Sequence, residues 1–126
     1  MDKGLILDQF GEIYIHFVRD KVMRDFLKTQ AGKIKSKTGI SLYEKLSKLD
    51  PEVLLTMNEV VLDTLDTTID YVLWMIEQHE EYDLIRYTDD EKNYVSLRDI
   101  SDGLSGELYT EEGWIEKFSS YEPSYK

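Results

Sequence analysis

Residues 50–81 read DPEVLLTMNEVVLDTLDTTIDYVLWMIEQHEE, and the fold turns on how this stretch is read. Asp50-Pro51-Glu52 has the chemistry of a helix start. Asp50 is placed to accept orphan amides, Pro51 fits the first helical position, and Glu52 lies at the positive end of the dipole. On a helical wheel at about 100° per residue, with Glu59 at zero, Asp63 and Glu81 fall near 40°, Asp66 near 340°, Asp70 near 20° and Glu77 near zero. Leu54, Met57, Val61, Leu65, Ile69, Val72, Leu73, Met75 and Ile76 take the other side, an apolar arc wider than the stripe of an ordinary surface helix. The stretch is expected to be a central helix from Pro51 to about Glu80. Thr56, Thr64, Thr67 and Thr68 lower its intrinsic propensity, so packing must hold it. Its acidic edge of Glu59, Asp63, Asp66, Asp70 and Glu77 is expected to face solvent.

Upstream, EIYIHFVRDKVMRDFLKTQ places Ile15, Val18, Val22 and Phe26 about one turn apart, which predicts a helix from about Glu12 to Gln30 with Asp8 as a candidate cap. The β-branched and aromatic EIYIHFV leaves a strand open for its first part. Ala31-Gly32 ends that helix, KIKSKTG reads as a basic connector, and Ser41 with Glu44 forms a capping box for a short helix over SLYEKLSKL.

Downstream the period changes. DLIRYT and NYVSLRD read as two short strands around DDEK, SDGLSG is turn-rich, and Leu108-Tyr109 has an extended pattern. Thr110 is a candidate cap for a last helix through EEGWIEKF, weakened by Gly113, and SSYEPSYK reads as a polar tail. The expected class is α+β: N-terminal helices including one long central helix, then a small antiparallel β-hairpin or sheet, then a short C-terminal helix, in one domain over residues 1–126.

The 126 residues carry a formal charge of -11, unevenly spread. Residues 1–50 hold ten Lys/Arg against seven Asp/Glu, a net of +3; residues 51–126 hold five against nineteen, a net of -14. Such a second part repels a nucleic-acid backbone and attracts a basic surface. Lys28, Lys33, Lys35 and Lys37 form the one basic patch, and nucleic acid is not expected as principal partner. The absence of cysteine excludes disulfides, thiolate zinc sites and cysteine nucleophiles, and a cytoplasmic location fits it. The N-terminus lacks the apolar region and cleavage site of a signal peptide, and no stretch approaches the roughly 20 apolar residues of a membrane span, so no membrane association is expected.

No motif carries catalysis. The chain has two histidines and no Glu-x-x-His pair, so a helical-bundle metal centre is not expected, although a hard cation needs only oxygen ligands. DISDGLSGEL lacks the alternating ligands of a calcium loop, and the glycine motifs for nucleotides and the serine elbow are missing. His16 stands one turn from Glu12 and from Asp20, a spacing adequate for an oriented base, although a packed or interfacial histidine with one hydrogen bond is the commoner case. His79 near the helix end suits a capping role. No catalytic residue, metal or cofactor is assigned, and enzymatic activity is not the leading expectation.

Aromatic residues are frequent among the late acids. Tyr109 and Trp114 are candidate anchors beside the acidic row Glu59, Asp63, Asp66, Asp70 and Glu77, a combination suited to a protein interface. The expected function is an acidic protein–protein interaction module, in its sharpest form an inhibitor or immunity-type protein that masks a basic partner. The alternatives are a small enzyme or ligand-binding domain with a pocket near the C-terminal hairpin, and a structural subunit of a helix-packed homo-oligomer.

Overall fold

A computed structural model describes residues 2–88 and 92–125. The N-terminal half begins with helix α1 (Lys3–Tyr14), passes through a π-helical turn at Ile15–Asp20, and continues as α2 (Lys21–Gln30). Helices α3 (Lys37–Leu46) and α4 (Pro51–Gln78) follow. Strands β1 (Ile85–Tyr87) and β2 (Tyr94–Ser96) pair antiparallel with Arg86 opposite Val95. A short helix α5 (Leu97–Ile100), a 3-10 turn at Ser105–Leu108 and helix α6 (Trp114–Phe118) complete the chain. The architecture is α+β, with N-terminal helices, the long central helix, an antiparallel hairpin and a short C-terminal helix. The expected hairpin turn at Asp89, Asp90 and Glu91 lies outside the described residues.

The first helix starts earlier than the periodicity indicates. Asp2 is its N-cap, its Oδ1 accepting from the Leu5 amide, whereas Asp8 lies inside α1 and pairs with Lys117 Nζ at 2.8 Å. Tertiary contact overrides the weak local pattern here, because Ile6 and Leu7 enter the core and Gly11 lets the Trp114 ring lie on the α1 backbone. A β-carbon on Gly11 would stand 2.5 Å from three atoms of that ring. The strand reading of EIYIHFV is corrected: the segment is helical throughout.

Helix α2 ends as expected at Ala31-Gly32. Gly32 has φ of 74°, a left-handed conformation that suits glycine, and the amides of Gly32 and Lys33 return to the carbonyls of Thr29 and Lys28. The capping box at Ser41 does not form. Ser36 caps α3 instead, its Oγ accepting from Gly39 N at 3.1 Å, and the helix therefore starts at Lys37. Asp50 occupies the N-cap of α4 with Pro51 in the first turn, but its side chain makes no capping hydrogen bond.

The core gathers Ile6, Ile15, Met23, Leu65, Ile69, Leu73, Leu97, Leu104, Leu108, Trp114 and Ile115. It lies between α1, the middle of α4 and the segments after the hairpin, and α3 packs on α2. Thr110 does not cap α6. It takes φ of 78°, while Gly113 is the N-cap, packed so closely that a β-carbon there would lie 2.0 Å from the Tyr109 carbonyl oxygen.

Candidate functional site

The π-helical turn determines the most polar part of the interior. Its i→i+5 bonding widens the helix by about one residue per turn. Ile15, Arg19 and Asp20 are all buried as a result, and Arg19 is withdrawn from solvent completely. Its guanidinium donates from Nε to Asp66 Oδ1 and from Nη2 to Asp66 Oδ2 at 3.0 Å. Its remaining bonds run from Nη1 to Ser119 Oγ and the Tyr121 carbonyl, and from Nη2 to the Glu122 carbonyl. All five guanidinium N–H groups are thereby used. The Asp20 carboxylate accepts from the Ser119 hydroxyl and the Ser120 amide, and Asp66 Oδ2 also accepts from the Ser124 amide at 3.3 Å. Residues 119–124, within the stretch expected as a polar tail, are a strap bound across the π turn and α4.

The acidic row is accordingly divided. Glu59 and Asp63 are exposed as expected. Asp66 is 3% exposed, which overturns its expected solvent position. Asp70 is half-buried and accepts from the Tyr109 hydroxyl at 2.5 Å, and half-buried Glu77 accepts from the Ser105 amide at 2.6 Å. The buried face of α4, defined by Leu65, Asp66, Ile69 and Leu73, is turned toward the acidic edge by about 60° relative to the apolar arc read from sequence. The turn has a physical cause: Arg19 needs a carboxylate where it enters the interior, and the backbone amides of the 105–124 region need acceptors.

Burial extends to the phenols around Asp70. The Tyr14 hydroxyl donates to the Ile69 carbonyl at 2.7 Å; burial, assisted by the Asp70 charge, pushes its pKa up to about 12. Burial also raises the Tyr109 phenol, with its hydrogen bond to Asp70 acting in the same direction. Glu107 is raised as well, chiefly by burial. Tyr109, expected as an anchor, is half-buried and spends its hydroxyl inside the fold. Trp114 is a core residue at 1% exposure, which removes it from any surface; sequence reasoning missed that Gly11 marks the place of its ring.

Rotation of α4 leaves apolar side chains outside. Val53, Leu55, Val60, Tyr71, Trp74 and Met75 are exposed, and Tyr71 and Trp74 meet edge to face with centroids 6.2 Å apart. No lysine or arginine occurs between Lys48 and Arg86, so the exposed charges that this stretch itself contributes are negative, from Glu52, Glu59, Asp63, Glu80 and Glu81, with Asp83 paired to Arg98 at 3.8 Å.

The histidines hold local structural bonds. His16 is exposed with Nε2 at 2.9 Å from the Phe118 carbonyl, and His79 terminates α4 with Nδ1 at 2.8 Å from the Met75 carbonyl. Arg98 Nη1 donates to the carbonyls of Ile76, His79 and Tyr82, which closes the same helix end. A mostly apolar groove of 450 Å³ lies between α1 and β1, with Gln9, Glu12 and Arg86 as its polar members. Among the described residues no group of three or more His, Asp or Glu is arranged to hold a metal ion, and no helix is long and apolar enough to cross a membrane. No protein-family model, curated protein or solved structure matches the chain.

Proposed function

We propose that the chain is an acidic protein-interaction module, of inhibitor or immunity type, that masks a basic protein partner in the cytoplasm. One observation carries the reading: α4 has 28 residues and no cation, and it presents exposed apolar and aromatic side chains beside exposed carboxylates. Apolar anchors supply affinity at an interface, and a one-signed field supplies steering and selectivity. Glu59 and Asp63 are the carboxylates of the original row that contact the partner. Asp70, Glu77 and Tyr109 stand at the rim, already bonded within the fold. Asp66 and Trp114 act inside the chain and are not part of the surface.

The test is association kinetics with a basic protein recovered from the native host, for the wild type and for the double variant Glu59→Gln/Asp63→Asn. Association is expected to slow with added salt and with the double variant, while dissociation changes less. An association rate indifferent to both would exclude electrostatic recognition.

A further inference from the structure

The exposed side of α4 carries a second periodicity. Val53, Val60, Thr67 and Trp74 lie seven residues apart, and Met57, Thr64 and Tyr71 interleave with them. Alternating steps of four and three residues give the 3.5-residue repeat by which one helix keeps a seam toward another helix. In this chain the seam faces away from the core: Val60 is 57% and Tyr71 63% exposed, whereas Leu65, Ile69 and Leu73 are buried on other faces. From Val53 to Trp74 the seam runs about 32 Å at a rise of about 1.5 Å per residue, three heptads in length.

Its two flanks differ. Asp63 borders one flank, with Glu59 a step behind it, and the equivalent positions one and two heptads on are Asp70 and Glu77. Leu54, Val61, Thr68 and Met75 border the other, so the charge that α4 itself brings to the seam lies on one side. The two ends of the seam are bulky and its middle is small and polar, at Thr64 and Thr67. At the N-terminal end, Val53, Met57 and Val60 border a surface hollow of 510 Å³.

We propose that this seam is the docking site of an amphipathic helix of the partner, with lysine or arginine along one flank and bulky apolar side chains toward its two ends. The proposal rests on the reading of the chain as an acidic module and assigns the contact to one face. Charge complementarity selects this occupant: a basic flank meets Asp63 and Glu59, whereas a second copy of the chain brings another -11 against the same field.

The test uses the full chain and a synthetic helical peptide of three heptads, with leucine at the seam positions and lysine along one flank. A second peptide has glutamate in place of each lysine. Binding is followed by calorimetry and by the indole N–H resonance of Trp74, and circular dichroism confirms that each variant is folded. The lysine peptide is expected to bind, to move the Trp74 signal and not that of buried Trp114, and to weaken with salt. Val60→Asp and Trp74→Asp are each expected to weaken it by about tenfold or more, the scale of an interface hot spot. Phe17→Asp, at a position 71% exposed on the π turn, is expected to leave it within about threefold, since a surface change away from the contact has little effect. Salt-sensitive binding that ignores Val60→Asp and Trp74→Asp overturns the seam and leaves the acidic module standing. Equal binding of both peptides overturns the charge argument and the module with it. No binding of either peptide, or a dimer of the chain alone that Val60→Asp dissolves, overturns the partner helix as occupant.

Discussion

The guanidinium of Arg19 and the carboxylate of Asp66 lie side by side in the interior, two parallel hydrogen bonds joining them, with Arg19 inaccessible to water. Around them the strap 119–124 contributes a hydroxyl, carbonyls and an amide, so every guanidinium N–H is matched. A pair of this kind has cost the desolvation of both ions, and its loss exposes that cost.

Asp66→Asn is therefore expected to destabilise the chain by about 3–5 kcal/mol, the range for leaving one partner of a buried pair uncompensated. The same substitution on a solvated acidic edge would be neutral or mildly stabilising, because like charges one turn apart repel by about 0.2–0.5 kcal/mol per pair. Urea unfolding separates the two. A midpoint equal to that of wild type would show that Asp66 is not the counter-ion of Arg19. The double variant Arg19→Met/Asp66→Leu is expected to recover only part of the loss, since apolar groups of similar size tolerate this burial but leave the Tyr121 and Glu122 carbonyls and the Ser124 amide without these partners.

Gly11→Ala is expected to cost about 1–3 kcal/mol, the range for overpacking a well-filled core, because the added methyl meets the Trp114 ring. Trp114→Leu in the Gly11→Ala background is expected to cost less than in wild type, since the smaller side chain makes room for the methyl. A double-mutant cycle from thermal or urea unfolding measures this coupling, and strict additivity would separate the two residues. The indole Nε1 of Trp114 is buried with no hydrogen-bond partner among the described residues, a further reason why this site is easily perturbed.

Thr110 is a β-branched residue in the left-handed region, where a side chain costs roughly 1–2 kcal/mol. Thr110→Gly relieves that strain but adds freedom to the unfolded chain, worth about 0.4–1 kcal/mol against folding. A net stabilisation of about 0.5–1 kcal/mol is expected in urea unfolding, small but of defined sign. Destabilisation would show that Thr110 makes contacts worth more than its strain.

Alkaline stability is expected to depend on Tyr14. Its phenol is raised from 10.0 to about 12 in the fold, so the folded chain holds this proton more tightly than the unfolded one. The stability it contributes is complete below about pH 10 and is lost as pH rises through about 12. Tyr109 acts with the same sign. Urea midpoints measured from neutrality to about pH 12 should fall less steeply for Tyr14→Phe than for wild type. At neutral pH that variant loses the bond to the Ile69 carbonyl, about 1 kcal/mol. An identical alkaline slope in both would exclude Tyr14 as a source of it.

Sequence by itself determined the elements whose signals are local. Asp50-Pro51 fixed where α4 begins, Ala31-Gly32 where α2 ends, and the change of period after residue 80 placed the hairpin. Its uneven charge was also plain, since it needs only counting. Tertiary structure alone decided which way α4 faces. On a helix with apolar residues over more than half its circumference, hydrophobicity leaves the buried direction underdetermined by about a residue's step. Arg19, delivered to the interior by a π turn that no periodicity announces, selected the direction by its need for Asp66. The carboxylates that looked most like a surface therefore divide, with Asp66 inside, Asp70 and Glu77 holding the 105–109 turn, and Glu59 and Asp63 in water. Trp114 went inward for the complementary reason, because its ring had a glycine to rest on. Val60, Tyr71 and Trp74 stay outside because the direction that satisfies the buried charges leaves them without cover.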